Sequence, residues 1–222
     1  MKKLSIALMS LSVILFSCSG DSGPSEKKDK DSTATNSTTN TTTDKPTTTG
    51  IKKYDIKSGI VNLETTIKAG GMSIVKKKIL YFDDYGMKEA EETLRDDGTV
   101  EQTFLSDGKN LITLIHDKKE SYTQGTAYQG TAMKYDREAA ERAVKAKKVA
   151  NISVAGKDCD AYEYADPGTN TSNIFAGYKH VLLYMKQTGA GNSETKATKF
   201  EEDVAVPAEK FTIPAGYTAK TM

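Results

Sequence analysis

Val61-Asn62-Leu63-Glu64-Thr65-Thr66-Ile67-Lys68 is the stretch that decides the fold. Apolar or β-branched residues alternate with polar ones at a period of two, which places Val61, Leu63, Thr65 and Ile67 on one face of a half-buried strand. A helix would need its apolar residues three and four apart, and this stretch lacks that spacing.

The same pattern continues outward. It predicts strands over Ser73–Phe82, Met87–Leu94, Val100–Leu105 and Leu111–His116. Between them lie Asp83-Asp84-Tyr85-Gly86, Asp96-Asp97-Gly98, Ser106-Asp107-Gly108 and His116-Asp117-Lys118. Short Asp/Gly turns at this spacing indicate an antiparallel up-and-down meander rather than crossover units. Further strands are expected at Asn151–Val154, Ala161–Tyr164, His180–Lys186, Thr198–Val206 and Phe211–Ile213. Asp166-Pro167-Gly168 and Gly189-Ala190-Gly191-Asn192 break this second series. Leu111, Ile112, Leu114 and Ile115, and Val181 to Met185, are apolar on both faces and are expected to be central. One helix is expected, with Asp136 capping Arg137–Lys148 and lysines in the last turn complementing the dipole. Its apolar face is the shallow set Ala139, Ala140, Ala143 and Val144. The expected architecture is mainly β (α+β): a curved antiparallel sheet or unclosed barrel of 9–11 strands with one covering helix near 136–148.

The beginning of the chain sets its compartment. Lys2 and Lys3 precede an apolar run from Leu4 to Phe16. About 20 Å of helix at ~1.5 Å per residue cannot span a ~30 Å hydrocarbon core, so the run reads as a signal sequence. It ends in Leu15-Phe16-Ser17-Cys18, which resembles the lipobox of bacterial lipoproteins. The resemblance implies removal of residues 1–17 and acylation of Cys18 by chains such as palmitate. Phe16 departs from the usual small residue. One acyl chain holds only reversibly, whereas two or three on one cysteine give stable anchorage. Ser19, where Asp would favour inner-membrane retention, leans toward the outer membrane, with the periplasmic or surface face left open.

Residues 19–50 read as a tether, and Ser32 to Thr49 is almost wholly Thr, Ser and Asn. Without apolar periodicity, ordering would cost entropy with no return. Its coil span is roughly 30 Å, and full extension reaches about 105–115 Å. Asp31-Ser32-Thr33 resembles a short O-glycosylation motif of Bacteroidota. Of 31 basic and 30 acidic residues, two lysines lie in the signal and four lysines against five acids in the tether, leaving 25 of each from residue 51 onward. Residues 51–222 therefore form one neutral β-rich domain, with no field drawing nucleic acid.

Chemistry-bearing constellations are few. His116 and His180 are far apart in sequence, with no HExxH, CxxC or paired HxH, so neither a metal nor a cofactor is expected. Cys159 is the sole cysteine once Cys18 is acylated and reads as a small buried hydrophobe. Asp83-Asp84 and Asp96-Asp97 sit where turns favour Asp, and the calcium-loop pattern is absent. Gly70-Gly71 lacks the context of a phosphate loop. Lys76-Lys77-Lys78 reads as a solvated edge. No catalytic set emerges, so the chain is read as a non-enzyme.

Gly156-Lys157-Asp158-Cys159-Asp160-Ala161-Tyr162 and Phe211-Thr212-Ile213-Pro214-Ala215-Gly216-Tyr217, with the strands before them, resemble the lipoprotein-carrier (LolA/LolB-like) superfamily, and in particular its uncharacterised lipid-anchored members from Bacteroidota. The resemblance covers about residues 58–217. It implies a half-barrel whose concave face holds acyl chains or lipid-like ligands. That face would include Leu63, Ile67, Leu80, Phe82, Leu105, Leu111, Ile115 and Leu183, with Ala139, Ala140, Ala143 and Val144 on the lid helix. The carriers begin with a helix where this chain has its tether. The function expected is a lipid-anchored envelope protein binding an apolar ligand. The alternative is a periplasmic or surface protein-interaction domain with a filled core and an envelope protein as partner. Globomycin, which blocks the lipoprotein signal peptidase, is expected to make the uncut precursor accumulate on an immunoblot. Normal maturation to a free soluble form would contradict lipidation at Cys18.

Overall fold

In the computed structural model, the described residues are 52–107, 110–123, 146–166, 168, 170–189 and 191–220. They form one unclosed sheet of twelve strands in the order β12-β6-β5-β4-β3-β2-β1-β11-β10-β9-β8-β7. The strands are β1 Gly59–Ala69, β2 Met72–Asp83, β3 Lys88–Leu94, β4 Val100–Ser106, β5 Leu111–Ile115, β6 Glu120–Thr123, β7 Lys147–Val154, β8 Lys157–Asp166, β9 Thr171–Tyr178, β10 Val181–Thr188, β11 Asn192–Glu202 and β12 Thr218–Lys220. Every pairing is antiparallel except β12 on β6, which is parallel.

Residues paired across a ladder point to the same side, so the register traces each face. From Val61 the inner face runs to Leu80 on β2, Glu91 on β3, Phe104 on β4 and Thr113 on β5. In the other direction it runs to Phe200 on β11. The opposite, outer face carries Ile60, Tyr81, Ala90, Leu105 and Ile112.

Two cores lie on opposite sides of this sheet. The larger joins Val61, Leu63 and Phe82 to Val154, Cys159, Ala161, Leu183, Ala197 and Phe200. Strands β1 and β2 reach strands β7 and β8 in one core because the sheet curls around its inner face. The bulges help to bend it, because an extra residue in one strand kinks the ladder. They lie opposite Asn62/Leu63, where β11 carries the extra Thr198, and at Leu182/Tyr184, Thr93/Leu94 and Val149/Ile152. Thr198 is held by its hydroxyl, which donates to the Asn62 carbonyl at 3.3 Å. The smaller core, Ala90, Leu105, Ile112, Leu114 and Phe211, lies on the outer face of β3–β5.

The segments before β1 and after β11 brace these cores. Before β1, Tyr54 and Ile56 enter the larger core, and the Tyr54 ring meets Phe82 edge-on at 4.9 Å. The Tyr54 hydroxyl donates to Glu89, and Lys53 Nζ lies 2.5 Å from the same carboxylate. Gly86, at φ 81, lies under the Tyr54 ring, where a Cβ would come within 2.5 Å of it. After β11, a strap crosses the outer face. Lys210 bonds Glu92 at 2.6 Å and lies 4.3 Å over the Tyr81 ring. Phe211 seals the smaller core.

Several sequence expectations are corrected. The strand expected at Phe211–Ile213 is absent, because Phe211 ends a 3-10 turn over Ala208–Phe211 that turns its ring into the sheet. β11 ends at Glu202 rather than Val206, since Asp203 at φ 54 takes the chain out of the ladder. Strands β6, β9 and β12 join those expected, giving twelve. Of the expected helix, residues 136–145, with Ala139, Ala140, Ala143 and Val144, lie outside the described residues. Its last two residues, Lys147 and Lys148, begin β7 and pair with Glu163 and Tyr162. No α-helix occurs among the described residues, so the covering helix is without support. Cys18 and the tether also lie outside them.

Phe82 is fully buried where β1, β2, Tyr54 and Phe200 meet. Replacing a core aromatic by alanine removes its transfer energy and leaves a cavity. Phe82→Ala is expected to lower unfolding stability by about 3–5 kcal/mol, read from a urea titration followed by circular dichroism.

Candidate apolar face and the polar centres around it

The expected ligand face separates into two zones. Toward the base, where the chain enters, the inner face is filled by the protein's own side chains. Val61, Phe82 and Leu183 are each fully buried there, with Leu63 close behind. This zone is a packed core. Further along β4 and β5 the face opens. Phe104 remains 49% exposed. It stands opposite Thr113, and the diagonal neighbours two residues either side of Thr113 are Leu111 and Ile115, within reach of an aromatic ring. Both are half-buried. Leu80 lies on the same face two strands away, across Glu91.

Of the eight residues expected on the concave face, Leu63, Ile67, Leu80, Phe82, Leu111, Ile115 and Leu183 share the inner side. Leu105 faces outward, paired with Ala90 and Ile112 and packed under Phe211. Phe104-Leu105 are adjacent apolar residues, and only one of them can face inward. The residue that sequence reasoning misses is Phe104. Gln102-Thr103-Phe104-Leu105 has no apolar/polar alternation to choose the face, which is set by the register of the neighbouring strands.

The open zone is mixed in polarity. Lys78 and Glu91 form an ion pair at 2.6 Å on the inner face. Thr65 and Thr195 share a hydroxyl bond at 2.9 Å across β1 and β11. A face of this kind can cover the flank of an apolar chain and still meet a polar end group.

The titratable residues tested for catalysis sit in separate structural settings. His116, at the end of β5, lies between two hydroxyls: Thr103 Oγ1 at 2.8 Å from Nε2 and Tyr217 OH at 2.7 Å from Nδ1. Burial lowers the His116 pKa below its ordinary value, against the opposing pull of Glu92. It therefore ties the strap to the outer face as a neutral ring. His180 is in the β9–β10 turn at φ 67, with Nδ1 2.9 Å from the Asp55 carboxylate but without hydrogen-bond alignment. Cys159 is fully buried in the larger core, and burial, reinforced by Asp158, pushes its thiol pKa up. A buried thiol held in its neutral form is a poor nucleophile. Asp97 accepts from Thr99 N and Oγ1 at 2.9 and 2.6 Å, a local turn lock. Among the described residues no group of three His, Cys, Asp or Glu is placed to hold a metal ion.

An open cleft of about 360 Å3 lies at the base, lined by Lys57, Ser58, Asp83 and Asp203–Val206. Its wall is fixed by Ser58, whose hydroxyl donates to the Val204 carbonyl at 2.7 Å.

No family model matches the chain, and no curated protein matches it. Among solved structures it is similar to an uncharacterized conserved protein from Thermus thermophilus, at 7% identity and a TM-score of 0.51, over 75% of this chain and 91% of that one. It is also similar to a LolA superfamily protein from Nitrosomonas europaea, at 9% identity and a TM-score of 0.37, over 72% and 91%. A third likeness is to the Pseudomonas aeruginosa MucA/MucB complex, at 13% identity and a TM-score of 0.46, over 71% of this chain and 56% of that one. The Thermus likeness shows a shared fold and nothing further.

The neutral His116 gives a pH dependence of definite sign. Its folded pKa is depressed, so on acidification the unfolded chain takes up the imidazole proton first, beginning near pH 6.5. Stability is complete above that value and is lost as pH falls through the lowered folded pKa. The urea midpoint of the parent is expected to fall on acidification below about pH 6.5, and the fall is expected to be smaller in His116→Gln. Equal pH profiles for the two would contradict the assignment.

Proposed function

We propose that this protein is a lipid-anchored envelope protein, held by acyl chains on Cys18, with a non-catalytic β domain that receives an apolar ligand on its open inner zone. The observation that carries this reading is Phe104, half exposed on the inside of a curling sheet and flanked by Leu111 and Ile115. A large aromatic left open there loses contact area that an acyl chain would restore. Leu80 extends the apolar strip, and the Lys78–Glu91 pair supplies charge at its side. Export follows from the signal segment, and Ser19 favours the outer membrane. The resemblance of the segments around Cys159 and Phe211 to the lipoprotein-carrier superfamily agrees with this reading.

A second reading has its own observation. The base of the inner face is solid, with Val61, Phe82 and Leu183 leaving no exposed surface. A domain filled in this way can serve as a protein-interaction module without any ligand.

The two readings differ in one measurement. The chain starting at residue 18 with Cys18→Ser is purified from the periplasm without detergent and weighed by native mass spectrometry. The expected result is a mass above that of the chain, lost under collisional activation and much reduced in Phe104→Ser. That substitution acts at a half-exposed position, so folding is expected to survive. A bare chain mass for the parent would reject the ligand reading and leave the interaction module.

A further inference from the structure

The β1–β2 hairpin ends in Ala69-Gly70-Gly71-Met72, a two-residue turn with both glycines at positive φ, 57° and 82°. That is the geometry of a tight hairpin that continues the strand twist. Four of the seven large apolar side chains exposed among the described residues belong to this hairpin: Ile67, Met72, Ile74 and Val75. Met72 is 69% exposed. Ile67 and Ile74 are cross-strand partners on the inner face, while Val75, opposite Thr66, points from the outer face. The inner side of the tip is thus apolar, and Val75 adds one apolar side chain on the outer side, among Thr66, Lys68 and Ser73. β3 begins to pair with β2 only at Lys77, so the outer edge of Met72–Lys76 carries no partner strand among the described residues.

Cations accompany this tip. Lys68 faces Ser73, and Lys76, Lys77 and Lys78 follow along β2. Between residues 64 and 78 the hairpin holds one carboxylate, Glu64. Lys78 is paired with Glu91, and Lys76 lies 3.4 Å from Glu101 with both side chains substantially exposed. An exposed pair of that kind contributes little, leaving the Lys76 charge open to another anion.

We infer that the β1–β2 tip docks on an anionic lipid surface, with Met72, Ile74, Ile67 and Val75 entering the headgroup boundary and Lys68, Lys76 and Lys77 reaching phosphates. A pocket or an added strand on a protein partner would cover one face or one edge of the ribbon. A fluid interface covers the apolar inner face, the turn and Val75 together, while its phosphates meet the lysines beside them. The spacing also fits. Lys76 lies two residues behind Ile74, about 7 Å along a strand, comparable with the ~5–10 Å depth of interfacial insertion. Lysine stems run along apolar surface while the ammonium stays wet. The tip is at the far end of β1 from residues 52–58, where the chain enters the domain. The contact is therefore a second attachment, separate from acylation at Cys18 and independent of any ligand on the inner face.

Co-sedimentation with vesicles tests this, using the chain from residue 18 with Cys18→Ser. The parent is expected to pellet with phosphatidylcholine vesicles containing phosphatidylglycerol, and to be released by added salt. Binding is expected to weaken about tenfold or more in Met72→Ser/Ile74→Ser, given the dependence on buried apolar area. It is also expected to weaken with pure phosphatidylcholine and in Lys76→Gln/Lys77→Gln. Met72, Ile74 and Lys77 are exposed and Lys76 is half-buried, and an unchanged thermal melt would show that the variants fold. A parent that stays in the supernatant with anionic vesicles would overturn the inference, as would variants that bind as the parent does. A photo-crosslinker at position 72 that captures a protein in cells, with no vesicle binding in vitro, would assign the tip to a protein partner and overturn it as well.

Discussion

The pairing of β1 with β11 is the constraint on which the rest of the structure depends. Strands β1–β6 form one local meander and β7–β11 another, each built from neighbours in sequence. They become one sheet only where Gly59–Lys68 meets Asn192–Glu202, more than 120 residues away along the chain. Along that seam Val61 meets Phe200 and Leu63 meets Ala197, so the ladder and the larger core are made by the same residues. Joining segments so distant costs loop-closure entropy, and burial of the aliphatic and aromatic side chains beside the seam offsets it. The Thr198 bulge lies at the same place, where its extra residue kinks the ladder.

From the curl of the sheet follows the division of the inner face. Near the base the opposing strands are close enough for their own side chains to meet. Along β4 and β5 the wall stands free, and Phe104, Leu111 and Ile115 have no buried partner of equal size across from them among the described residues. The outer face of the same strands is closed differently, by a strap from the C-terminal end whose Phe211 and Tyr217 reach back to Ala90, Leu105 and His116. A single sheet thus carries cores on both sides, and β5 gives Ile112 and Leu114 to the outer one while Leu111 and Ile115 stay half-buried on the inner face.

Much of this is legible in the sequence, because period-two alternation and Asp/Gly turns report local geometry directly. Strands β1–β5 emerge close to their observed limits for that reason. β9 escapes because Thr171-Ser172-Asn173 opens it with polar residues and Ala176-Gly177 closes it with small ones, which let β8 and β10 pack closely. β12 escapes because three residues, Thr218–Lys220, are strand only by virtue of the β6 edge beside them. Phe211 misleads because an apolar residue followed by Thr212-Ile213 looks like a strand start, whereas the structure uses it as a plug. The face of Leu105 is beyond local reading altogether, since only the register with β3 and β5 decides it. The Asp pairs, the two histidines and Cys159 read as turn and packing residues, each explained by its immediate partners.

The strap has a bearing on how the chain reaches its finished state. It is made by residues 203–220, which follow in sequence every strand that contributes to the smaller core. Without residues 203–220, the aliphatic surface of Ala90, Leu105, Ile112 and Leu114 loses the cover of Phe211, Val206 and Tyr217. A copy cut or stalled before residue 203 therefore displays an oily panel that the strap otherwise conceals, and such a panel is a liability for aggregation.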